Sequence, residues 1–318
     1  MTQLVTEEPM ARRPLASSPP MLVRAAHELH GRTVWHVNTT ALGGGVAELL
    51  RSTVSAHTAV GLASRWLVTR GTPEFFGLTK QLHHLLHGMP GNGTTPTYDD
   101  ARLYATVTAA HGEAILNWIS PGDVIVLHDP QTLGLAPHLR KCGVYVIWRS
   151  HIGTHRRSPL VNKAWRFLLP YTKAVHQLVF SSSAYVPTML AGRPVSIIPP
   201  AIDPASPKCR AMSPNEVSMV LAAIRLQGDA RSAVDPDAAR PAQLGSSRTV
   251  NGRVPTDWRS NGLGLAASVL QDAPLPAHAP VLVQISRWDP LKDMRGVLEA
   301  FAEHTAPRDG GPACTGRA

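Results

Sequence analysis

Between residues 33 and 200, short apolar segments alternate with helical segments, and this alternation restricts the fold more than any other feature. The apolar segments include Val124–His128 (VIVLH) and the stretch VYVIW at 144–148. Continuous apolar strands separated by helices are typical of a parallel sheet covered on both faces. We therefore expect an α/β fold with a doubly wound, Rossmann-like domain. The predicted strands are 33–38, 66–69, 124–128, 144–148, 177–180 and 195–198, and the helices 46 onward, 74–86, 101–119 and 164–174.

The remaining sequence divides into segments of different character. The motif Ser213-Pro214-Asn215-Glu216 is a capping box, which predicts a helix that continues to about Leu226. A second ordered strand, loop and helix is predicted after residue 279. The expected organisation is a disordered tail (1–22), a Rossmann-like domain (23–200), a linker and helix (201–227), a low-order insert (228–278), an incomplete second Rossmann-like domain (279–305) and an unstructured tail (306–318).

Charge and cysteine usage bear on partners and compartment. The 318 residues carry a formal net charge of +9, which favours anionic partners such as phosphate esters, although the basic residues form no dense cluster. The three cysteines lie far apart, without CxxC spacing. No segment has the length of a signal peptide's apolar core or of a membrane span. These features predict a soluble, cytoplasmic protein with no membrane partner.

The stretch QISRWDPLKD, residues 284–293, places Arg287 and Lys292 around a predicted helix start that follows a predicted strand at 281–285. A cation at a helix N-terminus is normally unfavourable by about 0.3–1 kcal/mol, because the peptide dipoles are positive there. A bound diphosphate would compensate both charges. The alternative is that both side chains are solvated, with Arg287 paired to Asp289 or Asp293. Sequence spacing leaves both interpretations open.

Other candidate residues follow the predicted strands. Gly43, Gly44 and Gly45 separate the first strand from its helix, where exposed amides favour an anion, although a flexible connection explains the glycines equally well. Asp129, Arg149 and His151 lie at strand ends, where open parallel sheets bind ligands, so we expect them to converge on one cleft. A purely structural role for His151 is the alternative.

Metal binding has little support in the sequence. His83 and His87 are spaced four residues apart on a predicted helix, but no third ligand and no HExxH motif accompany them. No nucleophile elbow is present either. We therefore predict no metal and no other cofactor.

Three stretches together resemble one enzyme family: TVWHVNTTALGGGVAELL, VIVLHDPQ with YVIWRSHIGTH, and IIPPAIDP with VLVQISRWDPLKD. They are similar to the retaining GT-B glycosyltransferases, and among them to trehalose synthases, which join a nucleotide-activated glucose to free glucose. Trehalose phosphorylases are close relatives. The resemblance implies two Rossmann-like domains and glucosyl transfer with retention of configuration, without a divalent metal and without a protein nucleophile.

The resemblance also implies residue roles. Arg287 and Lys292 match cations that hold the donor diphosphate, and Gly43–Gly45 match a loop near the donor phosphates. His151 matches a histidine close to the transferred sugar. Asp129, and with it Arg149, match the acceptor side. The implied partners are a nucleotide-glucose donor and a glucose acceptor.

The second domain departs from the family pattern, since it retains one predicted strand and helix and lacks the family's later acidic motif. We therefore expect a donor domain that is incomplete, weak nucleotide-glucose binding and a tendency to form homodimers. Three alternatives stay open: a trehalose phosphorylase, a catalytically inactive pseudoenzyme, and a basic nucleic-acid-binding protein, for which no known motif is present. The nucleotide, the acceptor, the oligomeric state and the activity of this chain are not determined by the sequence.

Overall fold

A seven-stranded sheet forms the centre of the first part of the chain in the computed structural model, which describes residues 2–5, 19–203, 209, 211–223, 275–276, 279–286 and 289–305. The strands are β1 (Thr2–Val5), β2 (Val34–Asn38), β3 (Ser64–Thr69), β4 (Val124–His128), β5 (Tyr145–Ser150), β6 (Gln177–Phe180) and β7 (Val195–Ile197). Their order is β1-β3-β2-β4-β5-β6-β7, and all neighbours are parallel except β1 and β3. The predicted α/β fold with a parallel, doubly wound sheet is thus confirmed.

The strand order places a topological switch point between β2 and β4. From β2 the chain passes outward to β3 and then returns across β2 to β4, after which β5, β6 and β7 add in sequence on the other side. In doubly wound sheets, the connections on the two sides of such a point leave a crevice at the carboxyl ends of the strands, and ligands bind there. The fold therefore directs attention to the ends of β2 and β4.

The helices connect and cover these strands. They are α1 (Pro20–Glu28), α2 (Gly45–Ala59), α3 (Pro73–Leu86), α4 (Tyr98–Ile115), α5 (Asp129–Leu133), α6 (Ala136–Arg140) and α7 (Pro159–Thr172), followed by α8 (Pro214–Ala223) and α9 (Met294–His304). Local sequence sets several of their starts. The side chains of Thr72, Thr97 and Ser158 accept hydrogen bonds from first-turn amides of α3, α4 and α7, and Thr97 with Asp100 forms a capping box.

The two faces of the sheet are packed unequally. One face carries the largest buried cluster, which includes Trp35, Leu127 and Trp148 and packs beneath α3 to α7. The other face carries two smaller clusters, one around Val34 and one around Trp66. Side chains alternate between faces along a strand, so His36, His128 and Arg149 lie on the less densely packed face.

The chain divides into two compact units, Met1–Asp203 and Pro204–Ala318. In the second unit, the predicted capping box is present: the Ser213 amide donates to Glu216 (2.8 Å) and the Glu216 amide to Ser213 Oγ (3.3 Å). The predicted insert at 228–278 lies outside the described residues apart from 275–276, and the predicted tail at 306–318 lies outside them entirely.

Two sequence-based expectations differ from the structure. Residues 1–22 were expected to be disordered, but residues 2–5 form β1, whose backbone pairs with β3, and α1 begins at Pro20. A strand was expected at 281–285, but these residues are not in a strand, and Leu282, Val283 and Ile285 are 65%, 61% and 93% exposed. A strand needs a neighbour for its backbone hydrogen bonds, and no described residue of 279–305 provides one.

Candidate functional site

Polar side chains gather at the carboxyl ends of β2, β4 and β5, the three strands at and beside the switch point. Asn38 and His128 end β2 and β4, and Ser150 ends β5, with Asp129 and His151 immediately following their strands. Because these strands are parallel neighbours, their ends share one edge of the sheet. The predicted convergence of Asp129, Arg149 and His151 therefore has a structural basis. We refer to these three residues as the edge site.

Asp129 has an unusual backbone conformation, with φ at 63°. Its surroundings hold it there: its carboxylate accepts from the His151 amide (2.8 Å), and its carbonyl accepts from Trp148 Nε1 (2.9 Å). Left-handed conformations of residues other than glycine are uncommon, cost about 1–3 kcal/mol, and persist where neighbouring groups fix them, often at functional sites. The edge site is thus built on a constrained turn between β4 and α5, and hydrogen bonds from Trp148 and His151 connect this turn to β5 and the residue after it.

Tyr104 on α4 forms hydrogen bonds with residues that follow this turn. It is fully buried, its hydroxyl donates to the Pro130 carbonyl, and it accepts from the Gly134 amide at 2.9 Å. We expect Tyr104→Phe to destabilise the first unit by about 1–3 kcal/mol, because a buried amide and carbonyl lose their partner while the ring packing is kept. Urea unfolding followed by circular dichroism measures this change. Tyr98→Phe, at an exposed position, is the matched control, and an equal effect of both variants would contradict the assigned role.

His151 is connected to two further histidines in a hydrogen-bonded chain. His128 Nδ1 lies 2.9 Å from His151 Nε2, and His36 Nδ1 lies 3.1 Å from His128 Nε2. His36 and His128 are buried, and the rings of His128 and His151 stack at 5.2 Å. We call His36, His128 and His151 the imidazole chain. It runs from β2 to β4, the two strands at the switch point, and ends at the residue that follows β5.

His36 and His128 are not among the site residues predicted from the sequence. A signal was present, because both are polar residues inside apolar strand segments, where most side chains are buried. Buried polar residues require hydrogen-bond partners, so two such histidines on adjacent strands could have been expected to meet.

Burial decides the protonation of this region. It lowers the pKa of His36 and of His151 to about 3, and that of His128 well below its usual range, with Arg149 contributing to each shift. Burial also raises the pKa of Asp129 to about 7, although its hydrogen bond from the His151 amide and the charge of Arg149 act in the opposite direction. The imidazole chain is therefore neutral near pH 7, and Asp129 can take up or release a proton there.

Arg149 contributes the positive charge of the edge site. Its Nη2 donates weakly to the carbonyls of Ile198 (3.4 Å) and Pro199 (3.5 Å), in the segment after β7. Its buried Nε has no hydrogen-bond partner within the described part of the chain. Burial lowers the pKa of Arg149, while the Asp129 carboxyl raises it. A half-buried guanidinium in this position attracts anionic or hydroxyl-bearing ligands.

The glycine loop lies after β2 and opens toward solvent. Gly43 and Gly44 have φ values of 73° and 83°, and Gly44 caps α2 without a side-chain bond. The start of the loop is fixed, because Asn38 Nδ2 donates to the Thr40 carbonyl (2.9 Å) while Asn38 Oδ1 accepts from Trp66 Nε1 (2.8 Å). Added Cβ atoms at Gly43–Gly45 would meet nothing within 4 Å, so the glycines are required by backbone conformation at the first two positions and not by crowding.

The predicted diphosphate cations lie in the second unit. Arg287 is outside the described residues. Lys292 ends a short 3-10 helix, Pro290–Lys292, in which Asp289 accepts from the Leu291 amide at 3.0 Å. The helix start that was predicted before Lys292 is present as this 3-10 helix, and the α-helix starts only at Met294, where Asp293 caps it. Pro290 begins the first helical segment, and the left-handed Asp293 (φ 48°) separates it from the second.

The described ranges contain neither a cluster of metal ligands nor a membrane-spanning helix. No three His, Cys, Asp or Glu side chains there are arranged to hold a metal ion, and the absence of a cofactor stays a prediction. None of the helices described is both long and apolar enough to cross a membrane.

A doubly wound, Rossmann-like α/β domain with a polar site at its switch point is the class of protein that the fold and the edge site define. Residues 36–187 match the family model described as "Trehalose synthase, N-terminal domain". This part of the chain is thus similar to the N-terminal domain of trehalose synthases.

Curated relatives show the same similarity. The chain is 28% identical to trehalose synthase of Pyrococcus horikoshii over 276 residues, covering 87% of this chain and 53% of that protein. It is 34% identical to trehalose synthase of Thermococcus litoralis over 196 residues, which is 62% of this chain and 46% of that protein. Trehalose phosphorylase of Pleurotus sajor-caju is 30% identical over 156 residues, or 45% of this chain and 20% of that protein. The chain thus spans about half the length of the trehalose synthases it matches.

Among solved structures, a trehalose-6-phosphate synthase (OtsA) is 16% identical, with a TM-score of 0.46 over 62% of this chain and 56% of that one. A trehalose-phosphate synthase from Burkholderia xenovorans, in complex with glucose-6-phosphate, is 13% identical with the same TM-score and coverage.

Proposed function

We propose that this chain takes part in retaining glucosyl transfer from a nucleotide-glucose to glucose, and that the edge site binds the sugar. The observation that carries the proposal is the constrained Asp129 turn, with a buried carboxyl beside Arg149 and His151 at the switch point, inside the residues that match the trehalose synthase domain. Carboxylates and guanidinium groups are suited to the hydroxyl groups of a sugar.

The chemistry of each side chain gives it a role in the proposed reaction. Asp129 accepts hydrogen bonds from sugar hydroxyls, and Arg149 donates to sugar or phosphate oxygens. Neutral His151 contributes a hydrogen bond without adding charge. The amides at Gly43–Gly45, at the start of α2, are available to donor phosphate oxygens. Arg287 and Lys292 hold the donor diphosphate in this proposal and steady it as it leaves with the bonding electron pair, while a leaving-phosphate oxygen takes the acceptor's proton.

Sugar binding tests the edge site directly. We expect Asp129→Asn and His151→Ala each to weaken glucose binding about tenfold to a hundredfold, since a hydrogen bond to a charged or buried group contributes about 1.5–3 kcal/mol. Titration of the chain with glucose, followed by amide chemical shifts, gives the dissociation constants. Asp99→Asn, an exposed position on α4, is the matched control and should bind like the unaltered chain. Equal affinity of all four proteins would remove the edge site from the proposal.

Transfer itself is tested with labelled glucose and UDP-, ADP- or GDP-glucose. Formation of labelled trehalose supports the proposal. Cleavage of trehalose that depends on inorganic phosphate would instead support the phosphorylase alternative, which the Pleurotus relative favours. Glucose binding with neither reaction would identify the chain as a sugar-binding pseudoenzyme and overturn the transfer step while leaving the edge site in place.

A further inference from the structure

His36 and His128 affect the sugar site through the hydrogen bonds that connect them to His151. We infer that His128 and His36 are positioning residues, which fix the tautomer of His151 so that its Nδ1 presents an N–H donor to the sugar. This inference rests on the proposed function only in naming the sugar as the group that meets His151. The hydrogen-bonded chain itself is a property of the first unit.

The geometry makes the three tautomers interdependent. A neutral imidazole has one N–H and one lone pair, so each nitrogen-to-nitrogen hydrogen bond needs a donor on one ring and an acceptor on the other. His128 uses both nitrogens, at 3.1 Å from His36 and 2.9 Å from His151. If His36 Nδ1 donates to His128 Nε2, the proton of His128 lies on its Nδ1, which donates to His151 Nε2. His151 then carries its own proton on Nδ1. If His36 accepts, all three rings are reversed and His151 Nδ1 is left with a lone pair.

The surroundings keep the chain neutral. His57 on α2 faces His36 with ring centres 5.7 Å apart, and itself contacts Ser64 Oγ at 3.1 Å. Arg149 on β5 and Asp129 after β4 are the charged groups that face the chain. Burial lowers the pKa of His57 as well, so neighbouring imidazoles do not supply a proton near pH 7. A neutral chain leaves only the two tautomer arrangements to be distinguished.

The inner end of the chain selects one arrangement. His36 Nε2 is buried and has no hydrogen-bond partner among the residues that the structure describes. An N–H donor without a partner is rare in buried sites of folded proteins, and an acceptor without a partner is somewhat less rare. His36 therefore keeps its lone pair on Nε2 and its proton on Nδ1. The chain then runs outward, and the remaining nitrogen of His151, Nδ1, carries the N–H.

This arrangement assigns a chemical character to His151. A donor at Nδ1 suits a sugar hydroxyl or ring oxygen as acceptor, and it also suits an oxygen that gains negative charge during transfer. It does not suit a general base, since accepting a proton would require either a buried positive charge or reversal of all three rings.

Long-range proton–nitrogen NMR spectra of the whole chain, labelled with ¹⁵N-histidine and recorded without sugar or nucleotide, read the tautomers directly. We expect His151 in the unaltered protein to be at least about tenfold enriched in the Nδ1–H form, which corresponds to about 1.4 kcal/mol. In His36→Phe, which removes the donor to His128, the enrichment should fall to a mixture of the two forms. An Nε2–H form in the unaltered protein, or an unchanged Nδ1–H form in His36→Phe, would overturn the inference.

Two substitutions of the central ring keep the test decisive if His36→Phe does not fold. The amide of His128→Gln reaches the position of Nε2 and leaves His151 without its inner partner, so His151 should lose the Nδ1–H enrichment. The amide of His128→Asn stays near the position of Nδ1 and does not reach His36, so it can present either its oxygen or its NH2 group to His151, and the enrichment should again fall to a mixture of the two forms. An Nδ1–H enrichment as high as that of the unaltered protein in either variant would contradict the role of His128. If the tautomers are as expected but glucose does not bind, the sugar is not the group that His151 meets. The coupling between the tautomers of the three histidines would still hold.

Discussion

Replacement of Trp148 by alanine should lower the free energy of unfolding of the first unit by about 3–5 kcal/mol, the range for large aromatic side chains removed from a core. Trp148 is fully buried and lies edge-on to Trp165 (5.9 Å) and Phe180 (5.8 Å). Its indole N–H donates to the Asp129 carbonyl. The variant therefore loses core packing and one of the bonds that hold the edge site.

Two controls separate these contributions. Trp118→Ala removes a tryptophan that is 44% exposed and should cost far less. Trp148→Phe keeps most of the apolar volume but not the N–H, so it should retain more stability than alanine while still weakening glucose binding. Urea unfolding monitored by circular dichroism provides the free energies. A loss below about 1 kcal/mol for Trp148→Ala, the ordinary effect of a point mutation, would mean that the described core is wrong at this position.

Mild acid should destabilise the first unit through the imidazole chain. The pKa of these histidines is near 3 in the folded protein and about 6.5 in the unfolded chain, so the folded state binds fewer protons. Their contribution to stability is therefore lost as the pH falls below about 6.5. Between pH 7 and 5 this amounts to about 2 kcal/mol for each of His36 and His151, and His128 adds in the same direction.

Asp129 has the opposite effect on the change of stability with pH. Its pKa is raised to about 7 in the folded protein, so the folded state binds the extra proton and gains about 2 kcal/mol over the same pH interval. The net loss from His36, His151 and Asp129 is therefore about 2 kcal/mol, and His128 increases it.

Urea midpoints measured from pH 8 to pH 4.5 test the slope. His36→Phe should reduce the loss between pH 7 and 5, whereas His30→Gln, at an exposed position, should leave it unchanged. Stability that is constant or rises toward pH 5 would contradict a buried, neutral chain.

Local sequence determined most of the first unit correctly. The apolar segments at 124–128 and 177–180 match β4 and β6 residue for residue. A strand that is buried on both faces is apolar along nearly its whole length, and this makes its bounds visible in the sequence. The short helices α5 and α6 were not predicted, because five residues give too little periodicity to read. The strand order could not be read either, since it depends on contacts between distant segments.

The edge site was predicted in part. Asp129, Arg149 and His151 were identified from their places at strand ends, and the parallel sheet brings those ends to one edge. The positive φ of Asp129 and the imidazole chain were missed, because both depend on tertiary contacts. The strand at 281–285 was wrongly predicted for the converse reason: its apolar pattern is suitable, but strand formation requires a neighbour that the described residues of that segment lack.

The central claim, that the edge site binds a sugar, is tested most directly by a crystal structure of the chain grown with saturating glucose. We expect a hexose at the carboxyl ends of β4 and β5, with hydroxyls on the Asp129 carboxylate and the Arg149 guanidinium and an oxygen on His151 Nδ1. A glucose molecule bound elsewhere, or an edge site occupied only by water at that concentration, would contradict it.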